Sequence, residues 1–170
     1  MAIYFYGCMT LDGYLADKFH NLDWLYQSGD VDLNSYQKFY NQMDITIMGR
    51  KTFNAIMHMD NLKDVYPSTI NYVFSNQKDL AAEGFTFVSK DIVTFVKNIP
   101  SDKNIWIIGG QTILKPLLDN NLIDYMYVQI APVLLGDGIR LFTQKEQLKR
   151  FKLLKVNQYQ QFVELIYEKI

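Results

Sequence analysis

Two stretches constrain this chain most. In each, an unbroken apolar run stops at glycine and opens at once into a helix. One is Ile105-Trp106-Ile107-Ile108 followed by Gly109-Gly110-Gln111-Thr112; the other is Ile45-Thr46-Ile47-Met48 followed by Gly49-Arg50-Lys51-Thr52-Phe53. A short apolar run without alternation fits a central strand covered on both faces. Glycine lets another backbone or a ligand come close, and the first amide N–H groups of the next helix have no partner inside it. Such a helix start suits an anion, phosphate above all. The same junction also occurs where two backbones merely pack tightly, so one alone decides nothing.

The rest of the chain alternates in the same way. Ala2 to Met9 predicts a first strand, closed by Thr10-Leu11-Asp12-Gly13-Tyr14. From there to Asp32 the pattern is irregular, with Gly13, Asp17, Asn21, Asp23, Gly29 and Asp30, yet Leu22, Trp24, Leu25 and Tyr26 need cover. Loops of that length tend to carry function. The spacing of Leu33, Tyr36, Phe39, Tyr40 and Met43 predicts an amphipathic helix from Asp32 to Met43, with Asp32 at its start. Further strands are expected at Ile70 to Phe74, Phe85 to Val88 and Tyr125 to Ala131. Helices are expected at Asp91 to Asn98, stopped by Pro100, and at Gln111 to Asn120. Lys152 to Val156 and Phe162 to Tyr167 predict a hairpin that turns around Gln158-Tyr159-Gln160. This order implies an α/β fold: a mostly parallel sheet, helices on its faces, and the hairpin adding antiparallel strands at one edge. No repeat, low-complexity tract or linker interrupts residues 1–170, which are expected to form one domain.

Composition removes several classes of function. The 17 basic and 18 acidic residues are well mixed and leave a net charge of -1, which advertises neither a nucleic-acid nor an anionic-membrane surface. Cys8 is the only cysteine, so no internal disulfide is possible; with only His20 and His58 beside it, no Cys/His zinc set and no metal is expected. The N-terminus lacks a basic segment followed by an apolar one, and no apolar run reaches membrane-span length, so the expected compartment is the cytoplasm. Aromatic residues make up 15% of the chain, which fits a bulky core, a partner surface or an aromatic pocket alike.

In open α/β sheets, ligands bind at the carboxyl ends of the strands. Both glycine junctions lie there, and so do Ser75 and Asn76 after the 70–74 strand. Together they suit a ligand with two separated phosphates: amides near Gly49 and Gly110, a cation at Arg50, and hydroxyls at Thr52, Thr112 and Ser75. The bland alternative is solvated cations and structural glycines. Neither a G-x-G-x-x-G nor a Walker sequence is present. Asp12 and Asp23, in the long loop region, are candidates to orient a polar substrate or supply a proton; Asp12-Gly13 is equally a turn pair. Trp24 either stacks on a ring or caps the core. Cys8 reads as a buried filler rather than a nucleophile.

Taken together, these motifs resemble a known family. Ile47-Met48-Gly49-Arg50-Lys51-Thr52-Phe53 resembles the NADPH-binding segment of dihydrofolate reductases, and Ile107-Ile108-Gly109-Gly110-Gln111 resembles their paired-glycine segment. Thr10-Leu11-Asp12-Gly13-Tyr14-Leu15-Ala16 and Ala131-Pro132-Val133-Leu134-Leu135-Gly136-Asp137-Gly138 are closer to the reductase domain of the bifunctional riboflavin-biosynthesis enzyme. Asn21-Leu22-Asp23-Trp24 is similar to a stretch of small stand-alone bacterial members of that group. The resemblance runs from Ile3 to about Phe142 and continues through the hairpin in pattern only.

It implies a dihydrofolate-reductase-like fold with a mixed sheet of about eight strands, and NADPH as cofactor. Carried over residue by residue, Gly49, Arg50, Lys51 and Thr52 face the cofactor phosphates, with Ser75 and Asn76 near the adenosine 2′-phosphate. Ile108, Gly109, Gly110, Gln111 and Thr112 meet the pyrophosphate and nicotinamide side. Thr10 to Ala16 border the nicotinamide, Leu11 among them. Asp12, Trp24, Tyr36 and Gly136 fall on the substrate side. In this family the two glycines are commonly joined by a cis peptide, and the riboflavin-type members are often homodimers.

The implied function is an NADPH-dependent reductase that passes hydride to a C=N or C=O bond of a small, pterin- or pyrimidine-like heterocycle. Two rivals stand beside it. One is a true dihydrofolate reductase, although those enzymes place an acidic residue in the helix before the Gly-Arg strand, where this chain presents Leu33, Tyr36 and Phe39. The other is a non-catalytic nucleotide-binding protein on the same fold.

Overall fold

The computed structural model describes residues 1–29, 33–59, 61–77, 80–143 and 148–170. Strand β1 (Ala2–Thr10) is followed by short β2 (Tyr14–Ala16), a single helical turn α1 (Asp23–Tyr26) and α2 (Leu33–Tyr40). Then come β3 (Ile45–Gly49), α3 (Arg50–Ile56), β4 (Ile70–Phe74), β5 (Phe85–Val88) and α4 (Ile92–Lys97). The chain continues through β6 (Asn104–Gly109), α5 (Gln111–Asp119), β7 (Tyr125–Ala131), β8 (Ile139–Arg140), β9 (Phe151–Tyr159) and β10 (Phe162–Lys169). The main sheet has eight strands in the order β5-β4-β3-β6-β1-β7-β10-β9. From β5 to β7 all neighbours are parallel; β10 and β9 add antiparallel strands at one edge.

Side-chain alternation explains the two faces. On β6, Ile105 and Ile107 turn one way and Trp106 the other, as a pleated strand requires. Ile105 and Ile107 join Ile3, Phe5, Ile45 and Ile47 in a mainly aliphatic core that α4 and α5 cover with Val96, Leu114 and Leu117. Trp106 joins Tyr6, Met48, Val73 and Phe53 on the opposite face, under Phe39 and Tyr40 of α2. That second layer is aromatic: Phe39 meets Tyr6 at 4.8 Å, Tyr127 at 4.9 Å and Trp106 at 5.4 Å between ring centres. Edge-on and tilted ring pairs of this kind add about 0.5–1.5 kcal/mol each beyond their buried area.

The differences from the sequence expectation are local. The helix expected from Asp32 to Met43 is α2, Leu33–Tyr40; Asp32 lies outside the described residues, and Met43 is buried in the turn after the helix. The hairpin strands run longer than expected, because the chain reverses at Gln160-Gln161, where Gln160 takes a φ of 51° and Tyr159 pairs with Phe162. The loop region after β1 is partly ordered by β2, which pairs with β8 in a separate two-stranded ribbon. That contact spans more than a hundred residues and leaves no local periodicity. Among the described residues, no helix is long and apolar enough to cross a membrane, and no group of three or more His, Cys, Asp or Glu side chains is placed to hold a metal ion.

Candidate functional site

The parallel strands all end on one edge, and the sheet order sets the sequence of groups along it. Ser75 follows β4, Gly49 ends β3, Gly109 ends β6 and Thr10 ends β1. These four ends cover three inter-strand spacings, about 14 Å.

The two glycine junctions meet. A β-carbon on Gly49 would stand 3.2 Å from Ile113 Cγ1 and 3.8 Å from the amide nitrogen of Gly110. A β-carbon on Gly110 would stand 3.7 Å from Thr52 Oγ1 and 3.9 Å from Leu15 Cδ2. Gly49, Thr52, Gly110 and Leu15 thus form one continuous wall. Gly109 has a φ of 118°, which a residue with a side chain rarely adopts, and a β-carbon there would meet nothing within 4 Å. The Gly109–Gly110 peptide is cis. Gly110 caps α5 with no side-chain partner, and its carbonyl accepts from Ile113 and Leu114. The edge therefore has open space beside the first turn of α5, whose leading amides have no partner inside the helix.

Arg50 lies toward the β5 side of this wall. The Arg50 guanidinium sits over the rings of Phe53 (5.5 Å) and Phe87 (5.8 Å), which hold it by cation–π attraction. Lys51 is exposed, and its Nζ is 2.7 Å from His20 Nε2, so the loop after β2 reaches α3. Ser75 is partly spent, since its hydroxyl accepts from the amide of Gln77 at 3.1 Å, and Asn76 is exposed. Gln111 donates to Thr143 Oγ1, while Thr112 faces solvent and Ile108 is half-buried.

Asp12 is the hub of the β1 end. Its carboxylate accepts from Thr10 Oγ1 at 2.5 Å, from the Leu135 amide at 3.0 Å and from the Gly136 amide at 2.7 Å. The Thr10 hydroxyl first, then the amides, hold its carboxyl at about 2, below the ordinary carboxylate range. The Leu11 amide donates to Val133 at 2.9 Å, and the Tyr14 hydroxyl donates to the Gly136 carbonyl at 3.2 Å. Asp12 and Gly136 are therefore brought together, with the Leu11 side chain standing 60% exposed beside them. A carboxylate so engaged is an anchor with no proton to give at neutral pH.

The other predicted residues divide. Trp24 is 8% exposed and packs with Ala131 and Phe162, with Cys8, Leu22 and Leu25 around them, so its ring caps a small core and offers no free face for stacking. Asp23 is exposed in α1, and no described side-chain contact links it to Asp12 or the glycine wall. Tyr36 is half-buried on α2 with its ring 5.9 Å from Trp106; burial, then Tyr40, pushes its phenol up to about 12. Leu15 belongs to the Thr10–Ala16 segment expected beside the nicotinamide; sequence reasoning missed His20 and a buried polar group on β10, Glu164. The last had a signal: Glu164 lies in phase with buried Phe162 on a strand whose alternation assigns that phase to the core.

Comparison with known proteins places this geometry in a family. The family described as RibD C-terminal domain matches residues 3–165. The uncharacterized protein YwjB of Bacillus subtilis is 31% identical over 167 residues, which covers 95% of this chain and 94% of YwjB. A crystal structure of a candidate riboflavin biosynthesis protein from Shewanella sp. PV-4 superposes with a TM-score of 0.87 at 25% identity, covering 100% of this chain and 99% of that one. Dihydrofolate reductase from Enterococcus faecalis, complexed with NADP(H) and RAB-propyl, superposes with a TM-score of 0.69 at 12% identity over 99% and 96% of the two chains, a likeness of fold.

Proposed function

From the premise that the chain belongs to the RibD C-terminal domain family, a family of the dihydrofolate-reductase-like fold, we propose that it is an NADPH-dependent reductase of a small heterocycle. The observation that carries this reading is the wall of Gly49, Thr52 and Gly110 beside the open side of Gly109. The donor set fits a dinucleotide: free backbone amides for a pyrophosphate, a planar guanidinium and an ammonium for a further phosphate, and apolar Leu15 and Ile108 for a ring. In this assignment Gly49, Arg50, Lys51, Thr52, Ser75 and Asn76 bind the phosphate-bearing half, and Leu11, Ile108, Gly109, Gly110, Gln111 and Thr112 the nicotinamide half.

NADPH, when bound, supplies the hydride; the chain binds, orients and excludes water. Asp12 positions. By tying Thr10 to Leu135 and Gly136, it fixes the rim of the pocket on which substrate and nicotinamide would meet. Water is the proton source in this assignment, because an anchored anion does not donate. The exposed apolar residues of β9, Leu154 and Val156, support a homodimer through the hairpin edge.

The test is direct. NADPH binding, read by nicotinamide fluorescence, is expected with a clear preference over NADH, and NADPH oxidation at 340 nm is expected with a subset of C=N and C=O heterocycles. Failure to bind NADPH would refute the reading. Dihydrofolate turnover with tight methotrexate binding would favour the folate-reductase rival, against which stand Tyr36 and Phe39 on the α2 face that meets the sheet. Tight NADPH binding without turnover over a wide panel would favour the non-catalytic one.

A further inference from the structure

The register of the sheet lines up four polar or thiol side chains in one row. Cys8 pairs with Gln129, Gln129 with Glu164, and Glu164 with Asn157, across β1, β7, β10 and β9. Directly paired residues share a face. This face is the one that carries α2, because Tyr6 and Tyr127, two residues back on β1 and β7, pack on Phe39. The row lies near the carboxyl ends of β1 and β7, the same edge as the glycine wall.

Glu164 is 1% exposed, and no ion pair among the described residues includes it. It accepts from Asn157 Nδ2 at 2.9 Å, from the Tyr159 hydroxyl at 3.4 Å and from Gln129 Nε2 at 3.3 Å. The Tyr159 hydroxyl in turn pairs with Ser35 Oγ of α2 at 2.8 Å. Burying a carboxylate among neutral donors is costly, and packing does not require it.

Glu164 also meets the side chain of Gln129. The Gln129 amide nitrogen donates twice, to Glu164 and to the Tyr6 hydroxyl at 2.8 Å. A carboxylate accepts and does not donate, so the amide atom that Gln129 sets against Glu164 is its nitrogen. Burial, then the same carboxylate, pushes the Tyr6 phenol up, which keeps that hydroxyl protonated. Gln129 Oε1 makes no hydrogen bond among the described residues, and Gln129 is only half-buried. Nearby, the indole N–H groups of Trp24 and Trp106 are buried without partners among the described residues. Buried polar groups of this kind call for an explanation.

We propose that Glu164 is a positioning residue of the substrate subsite: it pins the Gln129 carboxamide so that its carbonyl oxygen faces the ligand, and the subsite thereby selects rings that present an N–H donor. The inference rests on the reductase reading for a substrate at this edge. It goes further in assigning the recognising atom and the residue that orients it.

Trp24 and Trp106 are the two tryptophans of the chain and both lie on this face, so intrinsic fluorescence reports binding here. The probes are 2,4-diaminopyrimidine and 2,4-dimethylpyrimidine, alike in shape but with and without N–H donors, titrated onto the NADPH-saturated protein. The wild type is expected to prefer the diamine by at least about tenfold. In E164Q the amide at 129 is free to turn, and the preference should fall to within about threefold, while E164D retains most of it. Q129M should abolish the preference, and E164Q should add nothing in that background, a non-additivity that a purely structural role would not produce. Equal binding of both probes by the wild type, binding of neither, or an unchanged preference in folded E164Q overturns the proposal. If near-ultraviolet circular dichroism shows E164Q unfolded, Q129M decides, and a preference kept there overturns it. NADPH affinity is measured separately on the same wild-type protein: its absence sinks the reductase reading, whereas intact NADPH binding without ring discrimination sinks only this inference.

Discussion

Arg50→Ala separates the cofactor role of the Gly-Arg junction from its packing. The guanidinium sits over Phe53 and Phe87, so removing it costs the fold its cation–π contacts, about 0.5–1 kcal/mol at a half-exposed site. In the complex, a guanidinium on a phosphate makes charge-assisted hydrogen bonds, and losing them should weaken binding by about 2–4 kcal/mol, roughly 30- to 1000-fold. The loss is expected for NADPH and to be small for NADH, because the 2′-phosphate is the group that differs. Arg50→Lys keeps the charge but not the planar fork, so it should fall between. Titrations followed by nicotinamide fluorescence measure both affinities, and thermal melting measures the fold. Unchanged NADPH affinity and an unchanged NADPH/NADH ratio in R50A refute the phosphate assignment, whereas an equal loss for both cofactors places Arg50 on the pyrophosphate that they share. A drop in melting temperature with no change in binding would leave Arg50 as packing alone.

Gly49→Ala forces a β-carbon to 3.2 Å from Ile113 in a buried junction, and calorimetry should show about 1–3 kcal/mol of destabilisation with weakened NADPH binding; wild-type stability would contradict the close approach. Asp12→Asn removes one acceptor from the loop clamp, so kcat should fall while NADPH affinity changes less; a carboxyl held at about 2 keeps its clamp above the ordinary carboxylate value and loses it as pH drops toward 2, so no Asp12 ionisation should shape the rate between pH 5 and 8. Burial pushes the Cys8 thiol up to about 12 from an ordinary 9, so its contribution to stability is full below pH 9 and lost as pH rises toward 12; urea titrations should show the alkaline decline flattened in Cys8→Ala, and rapid thiol labelling at pH 8 would refute the burial. Paired substitution of Leu154 and Val156 by lysine should turn a dimer into a monomer by light scattering, and an intact dimer would move the interface elsewhere.

Much of the fold was legible because its core strands carry their own signal. Ile45 to Met48 and Ile105 to Ile107 are buried on both faces, so they are apolar at every position or nearly so, and glycine marks where each ends. Thr46 is the exception, and its hydroxyl is satisfied by Asn71 at 2.7 Å. The elements that escaped depend on contacts far apart in sequence. The β2–β8 ribbon joins Tyr14 to Arg140, and the clamp on Asp12 comes from Leu135 and Gly136. Thr10 is a neighbour in sequence, but nothing near Asp12 reveals the two distant amides that complete its clamp, which is why turn, orienting and proton-supply roles stayed open there. Trp24 stayed open for the same reason, since the small core that it caps is built from Ala131 and Phe162.

Composition left the high aromatic content unassigned between core, partner and pocket, and the two faces of the sheet divide the answer. The buried side chains under α4 and α5 are mostly branched aliphatics, with Phe5, Phe74 and Met126 among them, and they offer a ligand no polar group. The face under α2 is built from Tyr6, Tyr36, Phe39, Tyr40, Tyr66 and Trp106, whose rings supply apolar area while their hydroxyl and indole groups still need partners. A sheet closed with aliphatic residues on both sides would have been simpler to satisfy. The polar row of Gln129, Glu164 and Asn157 lies on the aromatic side, and the glycine wall opens at the strand ends between the two faces. A ring approaching the wall from the α2 side would meet hydrogen-bonding groups; from the α5 side it would meet methyl groups. The same asymmetry that makes the core unusual in composition therefore gives the proposed reductase site a direction, in which the cofactor would lie along the strand ends and the substrate under α2.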